Sequence, residues 1–294
     1  MTTPSFQPRR VINIHAHIRR DADADAKIAA WKAQGAMRTC VLCTALGPGD
    51  PGWGVLNNDE LLPLLERYPD HLIGFAGLDL STSPDKPSVV GALRARGFRG
   101  LKCIRPARPY DDDAYMPLYE AAAKHGMPIL FHTGYLSFPP AYRGPCVVDF
   151  MRPARLERIA RYFPELSLIG AHLGMPWSEE AIVLALNVRN VYFDICGGSA
   201  SAAWGSRMKR ALAPFAGADR TNPDEHLALR LFREKLLFGT DNPPLERWIP
   251  RALDILDYLE IPEEARECFF WKTAARVLNL DLPMTADSRV SVGR

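Results

Sequence analysis

The feature that most constrains the fold is an eightfold alternation of short apolar runs and helical patterns along the chain of 294 residues. The predicted strands cover residues 11–17, 37–44, 72–79, 98–104, 128–132, 166–172, 191–196 and 236–240. The predicted helices cover residues 24–34, 58–67, 87–96, 114–125, 152–163, 179–187, 224–234, 245–259 and 263–278. Because each helix returns the chain across the sheet, successive strands run parallel.

Eight such units in a chain of this length predict a single (β/α)8 TIM barrel, an α/β fold with a parallel eight-stranded sheet. Length alone allows one or two domains, since α/β barrels run to about 250 residues as one unit. No shift of composition and no Gly/Ser-rich linker divides the chain. We therefore expect one domain over residues 1–294, with its core at about 11–280. The alternative, a doubly wound sheet, lacks its GxGxxG motif after the first strand.

Charge and hydropathy exclude two classes of partner. The chain carries 36 basic and 34 acidic residues, and no window gathers enough Lys and Arg to neutralise a nucleic-acid backbone. The first residues contain no apolar core of about 7–15 residues, and nowhere do about 18 apolar residues follow one another. We therefore expect a cytoplasmic protein that binds neither nucleic acid nor a membrane.

Six cysteines are scattered along the chain, and two of them form a CxxC motif. Cys40 and Cys43 lie within the second predicted strand, where residues three apart point to opposite faces of the sheet. Their sulfur atoms are then poorly placed to share one metal ion or to form a tight redox pair. We expect reduced thiols that pack mostly in the core.

Polar side chains suited to chemistry lie where predicted strands end. His15 and His17 close the first strand, and residues two apart in a strand project to the same side. His132 ends the fifth strand, His172 ends the sixth, and Asp241 follows the eighth. The carboxyl ends of the strands form the catalytic face of a barrel. The five residues are therefore expected to converge on one rim, and the HxH spacing suits one metal ion.

Together with their neighbours, these residues resemble a known family. An HxH on the first strand, a His after the fifth and the sixth, and an Asp after the eighth match the amidohydrolase superfamily of metal-dependent barrels. The segments VINIHAHI, GFRGLK, GMPILFHTG, LIGAHLG and LFGTDNP look like its amidohydrolase-2 branch, which includes the aminocarboxymuconate semialdehyde decarboxylases, related hydratases and lactonases. The resemblance spans residues 11 to about 280 and implies a metal-dependent enzyme.

The resemblance also implies roles for the residues on that rim. One divalent ion would be ligated by His15, His17, His132 and Asp241. His172 would remain free to act on the substrate or on the attacking water. Three neutral imidazoles and a carboxylate suit Zn²⁺, and Mn²⁺ would be tolerated. Asp241 could alternatively accept the proton of that water as a general base.

Lys102, at the end of the fourth predicted strand, has two interpretations. Two-metal members of the superfamily carry a carboxylated lysine near this position, which would bridge the ions. Carboxylation needs a neutral amine, and therefore a lysine whose pKa is depressed by burial or by nearby cations. In the amidohydrolase-2 branch this lysine is more usually unmodified, so we expect a single metal ion, and Lys102 remains a candidate for contact with either the substrate or a second metal.

Two kinds of side chain, arginine and aromatic, are candidates for binding the substrate. Guanidinium groups match the geometry of a carboxylate, and aromatic rings in the loops after strands could wall a pocket for a ring or a conjugated chain. The candidates of these two kinds are Arg105, Arg143, Arg247, Trp53, Tyr135 and Trp177.

Three functions fit these residues. The first is a hydrolase in which an activated water attacks a lactone, an amide or another carbonyl of a small, carboxylated molecule. The second is a lyase that decarboxylates an acid or hydrates a double bond. Many benzoate-type decarboxylases of this branch have Glu in place of the first His, so His15 favours the semialdehyde decarboxylase type among lyases. The third is a barrel that binds a ligand without catalysis. Relatives in this branch are commonly dimers, so the resemblance also implies a homodimer.

Overall fold

The computed structural model describes residues 7–44, 52–81, 83–136, 144–197, 201–216 and 226–282. Within these residues, the eight strands are β1 (Val11–Ala16), β2 (Ala36–Leu42), β3 (Leu72–Leu78), β4 (Gly100–Cys103), β5 (Ile129–Phe131), β6 (Leu168–Gly170), β7 (Val191–Asp194) and β8 (Leu236–Leu237). The helices are α1 (Ala24–Ala33), α2 (Asn58–Arg67), α3 (Ser88–Ala95), α4 (Met116–Lys124), α5 (Arg155–Tyr162), α6 (Ser178–Asn187), α7 (Ala202–Leu212), α8 (Leu227–Glu234), α9 (Leu245–Tyr258), α10 (Glu263–Glu267) and α11 (Thr273–Val277).

The strands form one parallel sheet in chain order, β1 to β8, which confirms the predicted (β/α)8 barrel. The last strand returns to the first, because the Ile14 amide donates to the Phe238 carbonyl and the Thr240 amide donates to the His15 carbonyl. These bonds bring the segment after β8 beside the end of β1. The barrel closure therefore places Asp241 next to the HxH motif, although the two are separated by most of the chain.

Side chains of the strands alternate between two apolar layers. Ile129 and Phe131 of β5 pack outward in the large cluster that includes the helices, whereas Leu130 packs inward in a second cluster inside the barrel. Cys40 belongs to the inner cluster and Cys43 to the outer one, as the strand period predicts. Six free cysteines are described, and none of them forms a disulfide with a described residue.

The final predicted helix, 263–278, is interrupted. A π-helical turn at Cys268–Lys272 separates α10 from α11, and its Trp271 joins the inner cluster together with Ala274 of α11. Val277 of α11 lines a cavity with residues from the starts of the strands. The π-helical turn and α11 therefore close the barrel at the amino-terminal ends of its strands, opposite the predicted catalytic face.

One helix was missed by the sequence pattern. The segment after β7 contains α7, whose amino end is capped by the Ser201 hydroxyl accepting from the Trp204 amide. The predicted helix at 224–234 corresponds to α8, which begins at Leu227. None of the described helices is both long enough and apolar enough to cross a bilayer.

Candidate active site

The predicted rim residues meet at the carboxyl ends of the strands. The rings of His15 and His172 lie 5.3 Å apart between centroids, and those of His132 and His172 lie 4.9 Å apart. All four histidines of the rim are buried, and Asp241 is partly buried among them. The structure therefore brings together the five residues that the sequence predicted to converge.

His15 and His17 both point their Nε2 atoms at Asp241. His15 Nδ1 donates to Asp194 Oδ2 at 2.8 Å, and His17 Nδ1 donates to the Leu42 carbonyl at 2.8 Å. Because both acceptors are oxygens, each ring carries a proton on Nδ1, and Nε2 is the atom left to act as a metal ligand. These Nε2 atoms lie 3.7 Å and 3.3 Å from Asp241 Oδ1.

This arrangement places electron-rich atoms against one another. Burial, reinforced by the charge of Lys102, lowers the pKa of His15 to about 4, so its ring is neutral at pH 7. Burial opposes the ionisation of Asp241, but the contacts with His17, His15 and His172 together outweigh it and lower the pKa of this carboxyl group. A cation between these atoms relieves their repulsion, and imidazole nitrogens with a carboxylate oxygen are donors that Zn²⁺ accepts. His15, His17 and Asp241 could thus hold a metal ion.

His132 and Lys102 complete the floor of the site. Both are buried, and neither His132 Nε2 nor Lys102 Nζ has a hydrogen-bond partner among the described residues. Burial and the neighbouring His172 hold the pKa of His132 well below its usual range, which leaves a neutral ring. Burial lowers the pKa of Lys102 to about 8. A buried polar atom without a partner is costly, so both atoms are suited to a ligand.

His172 is held in an unusual backbone conformation. Its φ is +62°, in the left-handed region that side chains other than Gly and Asn seldom adopt. The Nδ1 atom donates to the Cys196 carbonyl at 2.9 Å, which leaves Nε2 as the free atom of the ring. A Cβ at Gly197 would lie 2.9 Å from His172 Nδ1 and from the Trp204 ring, so only glycine allows this packing. Asp241 also has a left-handed φ, of +60°. Strain of this kind concentrates at functional sites.

Asp194, at the end of β7, organises the site and was not predicted. Its fully buried carboxylate accepts from His15 Nδ1 at 2.8 Å, from the His172 amide at 2.9 Å and from the Cys196 amide at 3.2 Å. Burial opposes its ionisation, but the charge interaction and hydrogen bond with His15 lower the pKa of Asp194. One carboxylate therefore fixes the tautomer of His15 and the strained turn at His172.

A second group of potential metal donors lies around this carboxylate, formed by His15, His172, Asp194 and Cys196. Its atoms are already engaged with one another, since the Cys196 thiol donates to Asp194 Oδ1 at 3.0 Å. Burial and the charge of Asp194 raise the pKa of Cys196 well above its usual value, so the thiol keeps its proton. The hydrogen bonds around this group hold the Nδ1 atoms of His15 and His172. The Nε2 atoms of these rings remain free for the cavity side of the site.

A cavity of about 540 Å³ opens above these groups. Its described lining residues are His15, His17, Thr44, Trp53, Val55, Lys102, Ile104, His132, Tyr135, Leu136, His172, Met175, Pro176, Trp204, Arg207, Asp241 and Asn242. This volume is in the usual range for a small-molecule pocket, about 300–1,000 Å³. Of the predicted substrate-binding residues, Trp53 and Tyr135 line the cavity.

Three other predicted substrate-binding residues lie outside the described lining of the cavity. Arg105 stacks its guanidinium 4.7 Å from the centre of the Trp53 ring and donates to the Thr44 carbonyl, so it supports the wall from behind. Arg247 is exposed on α9, and Trp177 packs under Arg152 at the start of α6, outside the cavity lining. Arg143 lies outside the described residues.

Two cavity residues come from the helix that the sequence pattern missed. Trp204 and Arg207 of α7 reach the cavity, and the Trp204 indole donates to the Ile195 carbonyl at 3.0 Å. The signal that could have found them is the Ser201 cap followed by an amphipathic run.

The fold and the cluster define a class: an α/β barrel with a His- and Asp-rich site, able to hold a metal ion, at the carboxyl ends of its strands. A sequence model of the amidohydrolase family matches residues 12–280. The chain belongs to this family, in its amidohydrolase-2 branch, and is an enzyme of the hydrolase or decarboxylase type. No protein of curated function matches the chain by sequence.

Solved structures show the same fold at low sequence identity. A probable 2-pyrone-4,6-dicarboxylic acid hydrolase from Acinetobacter baumannii is 13% identical, with a TM-score of 0.59 over 92% of this chain and 99% of that one. A 2,6-dihydroxybenzoate decarboxylase from Rhizobium is 16% identical, with a TM-score of 0.61 over 94% and 100%. A 5-carboxyvanillate decarboxylase from Sphingomonas paucimobilis is 14% identical, with a TM-score of 0.57 over 92% and 99%.

Proposed function

We propose that this protein is a metal-dependent hydrolase that cleaves a lactone, an amide or another carbonyl bond of a small carboxylated molecule. The observation that carries the proposal is that the Nε2 atoms of His15 and His17 face Asp241 Oδ1 at 3.7 Å and 3.3 Å. His15, His17, His132 and Asp241 would hold one divalent ion, and the nitrogen-rich donor set favours Zn²⁺ over Mn²⁺. When bound, such an ion polarises a carbonyl group and lowers the pKa of a coordinated water towards about 7.

The remaining groups have complementary tasks. Asp241 is ionised and lines the cavity, so as an alternative to ligating the ion it can accept a proton from the attacking water. The free Nε2 of His172 can accept a proton and relay it to the leaving group, and in its protonated form it can stabilise the oxyanion that develops on the substrate. The cavity walls exclude bulk water, which strengthens both interactions.

We assign Lys102 a role in binding the substrate. Its buried Nζ has no partner among the described residues, and a carboxylate of the substrate would satisfy it. The depressed pKa would also allow carboxylation, but His15, His17, His132 and Asp241 would already supply four ligands for one ion. We therefore propose a single metal ion per chain.

A lyase is the second candidate, using the same residues. The observation that favours it is the apolar wall formed by Val55, Ile104, Leu136 and Met175. A carboxylate held against such a wall is less stable than neutral CO₂, which favours loss of CO₂. The decarboxylases among the structures of similar fold are consistent with this alternative.

One experiment separates the two reactions. Metal-loaded protein is offered lactones, amides, unsaturated dicarboxylates and hydroxybenzoates, while ring opening, amide cleavage and CO₂ release are followed together. We expect hydrolysis without CO₂, one metal per chain by elemental analysis, and complete loss of turnover after chelation. Release of CO₂ would favour the lyase, and full activity without metal would contradict both.

Replacing Lys102 with methionine is expected to stabilise the metal-free protein while lowering kcat/KM for carboxylated substrates. Lys102 is 1% exposed, and its pKa falls from 10.5 to about 8 on folding. This shift corresponds to about 3 kcal/mol at most, because burying the charge disfavours folding. The free-energy penalty for burying the charged amine is complete below pH 8 and disappears as the pH rises from about 8 to 10.5. The gain in unfolding free energy, on the order of 1–3 kcal/mol at pH 7, should therefore shrink over that interval.

Lys235→Met is the matched control for this prediction. Burial lowers the pKa of Lys235 to about 8 as well, but its Nζ donates to the Val188 and Arg189 carbonyls. Its replacement should therefore destabilise the protein, because two buried carbonyls lose their donor. Denaturant titrations at pH 7 and pH 10 give both free energies. If Lys102→Met were as destabilising as Lys235→Met, a structural role for Lys102 would replace the proposed one.

A further inference from the structure

A second cavity, of about 550 Å³, lies at the amino-terminal ends of the strands. Its lining includes Ile73, near the start of β3, Arg99, directly before β4, and Val277 of α11. The candidate active site lies at the opposite end of the barrel, where the strands finish. A ligand in the second cavity would therefore be bound separately from the metal-binding residues.

The charged lining of this cavity is almost entirely basic. Four arginines and one acidic residue belong to its described lining: Arg38, Arg94, Arg96, Arg99 and Glu66. Arginine side chains are suited to anions, because the guanidinium group can donate two parallel hydrogen bonds to a carboxylate or a phosphate. The excess of positive charge in a concave surface therefore favours an anionic ligand.

Two of the four arginines are engaged within the protein, and two are not. Arg38 donates to backbone carbonyls, and Arg96 pairs with the carboxylate of Asp59. The guanidinium groups of Arg94 and Arg99 form no hydrogen bond or ion pair with any described residue. Arg94 and Arg99 are therefore the groups that remain available to an anion from solvent.

Capping of a helix does not account for these two side chains. Arg94 lies in the last turn of α3, where basic residues often serve the terminal carbonyls of a helix. The Leu93 and Arg94 carbonyls already accept from the Phe98 and Gly97 amides, each at 3.2 Å. The backbone thus satisfies the end of α3, and the guanidinium groups of Arg94 and Arg99 are not needed there.

The walls beside the arginines are aliphatic. Leu72 and Ile73 are buried on the lining, and Leu65, Leu278 and Leu280 are half-buried there. No described residue of this lining is aromatic, so the walls suit an alkyl chain better than a stacked ring. An anionic head with an aliphatic chain matches both parts of the surface.

We propose that this cavity is a binding site for a small aliphatic anion, an alkyl carboxylate or an alkyl phosphate, whose head is held by Arg94 and Arg99. The alkyl chain lies against the leucine side chains of the wall. Each exposed charge pair contributes up to about fivefold in affinity, and each buried methylene contributes about fourfold. The site is independent of the proposed reaction, and its test does not measure turnover.

The test titrates octyl phosphate and octanoate calorimetrically into metal-loaded and metal-free protein, with octanol and inorganic phosphate as partial probes. We expect at least one of the two octyl anions to bind more than about tenfold more tightly than either partial probe, because only the anions offer both a charge and a chain. The tighter of the two identifies the preferred head group. Affinity should be the same with and without metal, since the cavity lies at the other end of the barrel.

Two substitutions locate the binding. Arg94→Gln combined with Arg99→Gln should weaken the octyl anion roughly 5- to 25-fold, and Arg99→Gln alone, at an exposed position, should weaken it up to about fivefold. Arg210→Gln is the control, because Arg210 is exposed on α7 and does not line this cavity. Melting temperatures of all variants show whether they fold.

The proposal fails if neither octyl anion binds the wild-type protein, or if octanol binds as tightly as the anions. Inorganic phosphate that binds as tightly as octyl phosphate would contradict the aliphatic part of the site. Binding that disappears with the metal belongs to the active site and also counts against the proposal. A folded Arg99→Gln variant and a folded double variant that both retain wild-type affinity would overturn the role of the two arginines.

Discussion

Replacing His172 with asparagine should lower kcat by about 10²- to 10⁴-fold, the range for losing a general acid-base group. The ring is placed for this role because Nδ1 donates to the Cys196 carbonyl and leaves Nε2 facing the cavity. The Asn side chain is shorter and has no second nitrogen at that point. Asn also tolerates the left-handed φ of +62° better than other residues, so the variant should fold.

The readouts for this variant are turnover, metal content and the melting temperature. His172 is not among the proposed metal ligands, so elemental analysis should still find one metal per chain. His125→Asn is the control, because His125 is an exposed residue at the end of α4. Retained turnover in His172→Asn, or loss of its metal, would contradict the assigned role.

The barrel and the five converging residues were predictable because they depend on short-range patterns. Apolar runs of strand length followed by amphipathic helices specify the βα unit, and the unit repeated eight times leaves one closed sheet. The ends of the strands then specify the rim. His15 and His17 project to the same side because they are two residues apart in a strand. Closure of the barrel then brings Asp241 beside them.

What the sequence could not specify is the direction of side chains after a strand ends. Arg105 follows β4 directly, and proximity alone suggested a substrate contact. Its φ of +55° turns the chain, and its guanidinium stacks on Trp53 behind the cavity wall. Arg207, more than a hundred residues further on, reaches the cavity from a helix whose position depends on packing against α9.

Asp194 was missed for a related reason. A single Asp at a strand end has no spacing signal, and two of its partners, His15 and His172, are 179 and 22 residues away. Only the folded barrel shows that its carboxylate accepts several hydrogen bonds from buried donors. Its importance is therefore a prediction from the structure, with an effect expected to rival that of His172.

Asp194→Asn should weaken metal binding by about 10- to 100-fold, as is typical when the group that orients a metal-binding histidine is lost. The carboxylate accepts from His15 Nδ1 and so keeps the lone pair on Nε2, whereas an amide can present its NH₂ group instead. His15 would then carry its proton on Nε2, directed at Asp241, where a metal ion could no longer bind without displacing it. The affinity is measured by competition with a chromogenic chelator.

The same substitution should lower the unfolding free energy of the metal-free protein by about 1–3 kcal/mol, because buried donors of His172 and Cys196 lose part of their acceptor. Asp254→Asn is the control, since Asp254 pairs with Lys209 and Arg251 at a more exposed position. It should leave metal affinity unchanged and cost less than about 1 kcal/mol. An Asp194→Asn variant with wild-type metal affinity would mean that the tautomer of His15 does not depend on Asp194. Any decrease in its unfolding free energy would then reflect a packing role of Asp194 alone.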